Sequence, residues 1–255
     1  MTAADDQYLN QDLDLNLDAI LGILEAMHSD EVPDPSEGLR VRKKRRLRQR
    51  ISDVATAMFL VNGFESVTVA RIAAACEVSE QTVFNYFPTK ESMLFDRSES
   101  TTNAVAEAVR VRTSVPLGEA VVQAVAAQFP TGRPTGVDEA QQLQLLRLFG
   151  DAATGSPTLV ASQLAEFARS TDEVAVALAE RVGADPIHPQ VQMAAYVIAG
   201  LVRVRQQSTY NHGHEALSAA ALADAAHRDL LQAARIAEPA LAAFDAMFTT
   251  DRDSN

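Results

Sequence analysis

The chain has 255 residues, 47% of them hydrophobic, and sets 34 Asp plus Glu against 22 Lys plus Arg, for a net charge of −12. That length holds one large domain or two ordinary ones, and a mean hydropathy of −0.05 is ordinary for a soluble protein. A single cysteine, Cys76, excludes an intramolecular disulfide framework and a multi-cysteine zinc site, and no apolar run approaches the roughly 18 residues that span a bilayer.

The start of the chain has no basic region followed by an apolar core, so no secretory signal is expected and a cytoplasmic, reduced location is. Taken as an average, the acidic balance argues against nucleic acid, because a polyanion is repelled. The distribution reverses that inference. Residues 1–38 hold ten acidic residues and no Lys or Arg, residues 40–97 hold eleven basic against six acidic, and residues 98–255 hold eleven basic against eighteen acidic. The segments therefore carry −10, +5 and −7. A basic segment set in an acidic body points to a nucleic-acid contact.

In chain order, residues 1–38 form an acidic extension. Leu13, Leu17, Ile20, Leu21, Leu24 and Met27 recur within it at helical spacing, predicting one amphipathic helix of about four turns. Val32-Pro33-Asp34-Pro35-Ser36-Glu37-Gly38 reads as a linker. Eight cations follow in the eleven positions 40–50, among them Arg45 and Arg46, and are expected to give flexible backbone or minor-groove contacts.

Ile51, Val54, Ala55, Met58 and Phe59 then mark a first helix ending near Asn62-Gly63. Two short helices are expected between Thr68 and Phe87. Thr68 caps the first, whose apolar face is Val69, Ile72, Ala73 and Cys76, and Ser79 caps the second. In the second, Val83, Phe84 and Phe87 are expected to face inward, leaving Gln81, Thr82, Asn85 and Tyr86 outside. Two short helices about a tight turn make a helix-turn-helix, whose second helix enters the major groove. Gln and Asn bond adenine edges, a Thr methyl meets a thymine methyl, and a Tyr hydroxyl reaches a phosphate. A longer fourth helix is expected from Thr89, with Lys90 in its first turn as an anion site.

These residues resemble the DNA-binding domain of TetR-family transcriptional regulators. Asn62-Gly63-Phe64 with Val67-Thr68-Val69 is similar to the family's "GF…TTv" junction, and Ile72-Ala73-Ala74-Ala75 to its "IA…A". Val78-Ser79-Glu80-Gln81-Thr82-Val83-Phe84-Asn85-Tyr86-Phe87-Pro88-Thr89-Lys90-Glu91 is similar to "VS…t.y.yF..Ke". The resemblance covers residues 45–95, and it implies that Thr68, Thr82, Tyr86 and Lys90 take DNA-contacting positions, with Gln81 and Asn85 as the variable readers. Glu77 stands where the family usually has Gly, so a different end to the second helix is expected.

Beyond residue 100, Ser114-Val115-Pro116, Pro130 to Pro134, Gly155-Ser156-Pro157, Gly183 to Pro186 and Asn211 to His214 separate further helices. The expectation is an all-α chain: an extension at 1–38, a three-helix helix-turn-helix domain at 45–105 (motif 68–87), and a helical domain at 106–255. The resemblance implies that the last binds a small molecule and dimerises. Helices near 188–209 and 217–248 carry small apolar faces, Val191, Ala194, Ala195, Ile198, Ala199 and Val202 on one and Leu222, Ala225, Ala226, Leu230, Ala233 and Ala234 on the other. They are read as the dimer interface, an intersubunit four-helix bundle. Phe129, Leu146, Phe149, Leu164, Phe167 and Tyr196 are candidates for lining a ligand pocket.

No Ser-His-Asp arrangement, P-loop or dinucleotide fingerprint occurs, so no enzyme, cofactor or metal is expected; His212 and His214 lack further ligands at useful spacing. The function expected is a homodimeric repressor that binds a near-palindromic operator in double-stranded DNA and is released by a small-molecule ligand, with no membrane partner. The alternative is a protein-interaction adaptor acting through the acidic N-terminal helix. A further expectation is that the extension folds back on the basic run and restrains DNA binding.

Overall fold

The computed structural model describes residues 15–29, 38–111, 114–129 and 136–250, and every regular element among them is an α-helix. In order these are α1 (Leu17–Ser29), α2 (Leu39–Asn62), α3 (Val69–Ala75), α4 (Glu80–Tyr86), α5 (Lys90–Leu94), α6 (Asp96–Arg110), α7 (Leu117–Ala127), α8 (Glu139–Gly155), α9 (Pro157–Val182), α10 (Pro189–His212) and α11 (Ala219–Thr250). Helices α2 to α5 form a head. Helices α6 to α11 form a body, and α6 runs unbroken across residues 105 and 106 while packing on α7 and α9.

Two departures from expectation have local causes. The basic run is the first half of α2 rather than a flexible arm. After Gly38 it contains only Arg, Lys, Leu, Val and Gln, with no Gly or Pro to interrupt a helix. The helix expected from Thr89 divides at Phe95, whose φ of −102° and ψ of 21° turn the chain between α5 and α6.

The head core gathers Ile51, Ala55, Phe59, Ile72, Val83 and Phe87, with the Phe59 and Phe64 rings edge-on at 4.9 Å. Body residues Ala153 and Leu159 join it, and Ser156 Oγ donates to Glu65 Oε1 across the seam at 2.9 Å. Head and body are thus continuous.

Helix α1 is fastened to both. Ile20 and Ile23 are buried beside Ala57 of α2 and Leu145 of α8, while Asp18 and Glu25 are exposed. An adaptor would need that apolar face for its partner, but it is covered by the chain's own head and body. Leu13 and eight of the ten acidic residues of the extension lie outside the described residues, among them Asp5, Asp6, Asp12 and Asp14.

The faces read as a dimer interface are internal. Val191, Ala195, Ile198, Leu222, Ala226 and Leu230 are at most 1% exposed in the single chain. The small residues that would bring two subunits together instead bring α10 against α9 and α11. The large exposed apolar side chains of these helices are others: Met193, Tyr196 and Val204 on α10, Leu231, Ile236 and Met247 on α11.

Candidate nucleic-acid interface

The head presents two short helices, each started by a side-chain cap. Thr68 Oγ1 accepts from the Arg71 amide at 3.3 Å and Ser79 Oγ from the Thr82 amide at 3.1 Å. Between them the Glu77 amide bonds the Ala74 carbonyl at 3.1 Å and the Val78 amide the Ala73 carbonyl at 3.0 Å. This closure places Glu77 at φ 58°, the left-handed region that an L residue enters at a cost of about 1–2 kcal/mol. The tight turn therefore forms with Glu77 in it, and the different helix end expected there is not seen.

Val83 of α4 and Phe87, the residue that ends it, are completely buried. At about 100° per residue, the direction opposite them is held by Gln81 and Asn85. Both are exposed, and Gln81 Nε2 donates to Asn85 Oδ1 at 3.1 Å. Thr82 and Tyr86 flank this pair on one side, half-buried, with the Thr82 and Ser79 hydroxyls 2.8 Å apart. Phe84 flanks it on the other and is 44% exposed, so it does not face the core as expected. Val83 and Phe87 already fill the inner arc of so short a helix. The consequence is an apolar group beside the outward face of α4, of a kind able to meet a thymine methyl. The sequence carried a signal for this, since a seven-residue helix with residues 83 and 87 inside turns residue 84 aside.

Thr68 is exposed at the start of α3, and Arg45 and Arg46 are exposed on α2. Two cations expected at phosphates make contacts within the head. Lys90 Nζ donates to the Phe64 carbonyl at 2.8 Å and the Val67 carbonyl at 3.2 Å, and lies 4.0 Å from the Phe64 ring centroid. Arg48 pairs with Asp96 at 2.7 Å, donates to the Tyr86 carbonyl at 3.0 Å and sits 4.6 Å over the Phe87 ring. Cys76 is buried under the motif, and burial raises its thiol pKa, so it stays protonated and unreactive.

Of the six candidates for a ligand pocket, Phe129, Leu146 and Phe149 line a cavity of ≈ 180 Å³ where head meets body. Phe167 lines a separate pocket of ≈ 40 Å³. Leu164 and Tyr196 are more than half exposed and line neither. His212 and His214 bind different carboxylates, Asp229 at 2.9 Å and Asp151 at 2.7 Å. Among the described residues no helix is long and apolar enough to cross a membrane.

Residues 51–96 match the family model for bacterial regulatory proteins of the tetR family. The chain is 31% identical over 201 residues to the HTH-type transcriptional regulator TcmR of Streptomyces glaucescens, covering 71% of this chain and 84% of that protein. Among solved structures, one assigned to the TetR family from Mesorhizobium loti MAFF303099 is 20% identical over 78% of this chain and 98% of its own, with a TM-score of 0.40. A tetR-family transcriptional regulator from Streptomyces coelicolor is 15% identical over 81% of this chain and 90% of its own, with a TM-score of 0.35.

Proposed function

The chain belongs to the TetR family of transcriptional regulators, and from that premise we propose that it is a cytoplasmic, homodimeric repressor whose near-palindromic operator is released when a small molecule binds. The observation that carries the DNA-reading part is the outward face of α4, where Gln81 and Asn85 stand opposite the buried Val83 and Phe87. Gln and Asn are the side chains that bond adenine edges in two places at once. Thr82, Tyr86 and Phe84 border them, Thr68 stands at the start of α3, and Arg45 and Arg46 supply charge for the phosphates.

A dimer would use the exposed apolar residues on the outer sides of α10 and α11, Met193, Tyr196, Leu231 and Ile236. Two recognition helices roughly 34–36 Å apart would then read half-sites one turn of DNA apart. Release by a ligand requires that it bind the two separations of the heads with different affinity.

The test is selection of bound sequences from random DNA by the purified chain, followed by gel-shift titration of Gln81→Ala and Asn85→Ala on the recovered site. An inverted repeat whose recognition is relaxed by both variants supports the reading. Recovery of no enriched sequence rejects it.

A further inference from the structure

Head and body meet at two places along α8. At its end Ala153 enters the head core, and the seam is closed by Leu159 and by the bond from Ser156 to Glu65. Near its middle, Leu145 and the preceding Val137 share a cluster with Ala57 of α2 and with Ile20 and Ile23 of α1. Leu145 precedes Ala153 by eight residues, about 12 Å along the helix axis. A single contact can act as a pivot, and a second one at that distance resists tilting about it. The buried head residue at this second place is Ala57, a single methyl. The larger buried groups beside it, Ile20 at 0% and Ile23 at 4% exposed, come from α1.

The hold of α1 is modest. It has 13 residues, a length at which an isolated helix is marginal in water, so its order depends on the contacts it makes. Gly22 lies in its interior, where Gly lowers helix stability relative to Ala. Nothing stands within 4 Å of the Cβ that an alanine would add there, so packing does not demand the glycine. The later part of the apolar face, Leu24 and Met27, borders the cavity of ≈ 180 Å³. It shares that lining with a polar stripe of α2, Gln49, Ser52, Asp53 and Thr56, so its apolar contact there is incomplete.

We propose that α1 is a releasable clasp: docked, it fixes the head on the body, and undocked, it leaves the head to pivot on the corner between α8 and α9. Its docking thereby sets operator affinity. A head held at one angle meets DNA already oriented, whereas a loose head must be ordered on binding and loses affinity to that cost. This consequence rests on the regulator reading; the clasp itself does not. The device is mechanical rather than electrostatic, because the residues that dock are apolar while Asp18 and Glu25 stand exposed. It therefore acts in the opposite sense to the restraint expected from the charge of the extension.

The experiment measures the distance between head and body in the full chain, with spin labels on Ala70→Cys of α3 and Glu173→Cys of α9, diluted with unlabelled chain. Both positions are exposed, and the native Cys76 is buried. One narrow distance is expected, which Ile20→Asn broadens and Glu25→Gln leaves as it is. Should Ile20→Asn fail to fold, Ile20→Ala, a smaller loss at the same place, is read in the same way. In hydrogen exchange, Gly22→Ala is expected to slow the α1 amides about four- to fivefold, the ratio that matches the Ala–Gly helix preference. On the operator recovered by selection, Ile20→Asn is expected to bind about tenfold more weakly with an unchanged salt slope, since no charge is lost. The inference is overturned if the distance stays narrow in the folded Ile20 variant, if that variant binds the operator as well as the wild type or better, or if Gly22→Ala leaves α1 exchange unchanged. A wild-type chain that binds no DNA loses the regulator reading, and the distances and exchange rates then decide the clasp by themselves.

Discussion

The ammonium of Lys90 donates to the carbonyl of Phe64 at 2.8 Å while lying 4.0 Å from the centroid of that residue's ring. One side chain at the start of α5 thereby holds the turn between α2 and α3, and with it the placement of the reading helices. Lys90→Met keeps the aliphatic stem and removes the donor. It is expected to lower stability by about 1.5–3 kcal/mol, the range for hydrogen bonds that involve a charged group. The salt dependence of operator binding is expected to stay as in the wild type. A salt slope smaller by about 0.9 would instead mark a lost phosphate contact.

The basic run divides into two jobs in the same way. Arg46→Gln is expected to reduce the salt slope of DNA binding by about 0.9 with the melting temperature unchanged. Arg48→Gln breaks the pair with Asp96, the bond to the Tyr86 carbonyl and the stacking on Phe87. It is expected to cost about 1–2 kcal/mol of stability and leave the slope alone. Thermal melts beside gel shifts at several salt concentrations distinguish the two variants.

Glu77→Gly relieves the φ of 58° at the turn of the motif. The left-handed penalty of about 1–2 kcal/mol is partly offset by the greater unfolded freedom of Gly, about 0.5–1 kcal/mol. Net stabilisation of about 0.5–1 kcal/mol is expected in a urea titration. DNA affinity should also rise, most at low salt, since one negative charge leaves the head.

The acid side of the stability profile has a local contributor at the junction of α10 and α11. Hydrogen bonds from Ser208 at 2.5 Å and His212 at 2.9 Å hold the Asp229 carboxyl below its ordinary value. A carboxylate with a depressed folded pKa stabilises above its unfolded value of about 4 and loses that contribution as pH falls through the folded value. The group is 39% exposed, so Asp229→Asn is expected to cost no more than about 1 kcal/mol at pH 7. The difference between the variant and the wild type should close in melts as pH falls through the folded value.

Periodicity and punctuation in the sequence located the helices well. The caps at Thr68, Ser79 and Thr89 all form, and the breaks at Gly155-Ser156-Pro157 and at Gly183 to Pro186 fall where α8, α9 and α10 are separated. Side-chain direction was less legible, because it depends on what lies across the gap. The apolar faces of α10 and α11 suit contact within a chain as well as between chains, and only packing decided for the former. The contacts of Lys90 and Arg48 within the head were not legible, because the carbonyls of Phe64, Val67 and Tyr86 are backbone atoms that no motif displays and Asp96 lies 48 residues from Arg48. The stripe at Gln49, Ser52, Asp53 and Thr56 was hidden beside the stronger apolar pattern of the same helix.

Helix α2 carries the exposed arginines, the cavity stripe and part of the head core on one unbroken rod of 24 residues. A rod has phase as well as length: adding a single residue between Arg48 and Gln49 would turn everything before it by about 100° relative to everything after. Only insertions near a whole turn, three or four residues, keep the arginines on their side while the polar stripe keeps its own. The spacing between the two is therefore quantised, and neither face can drift along the helix without carrying the other around the axis.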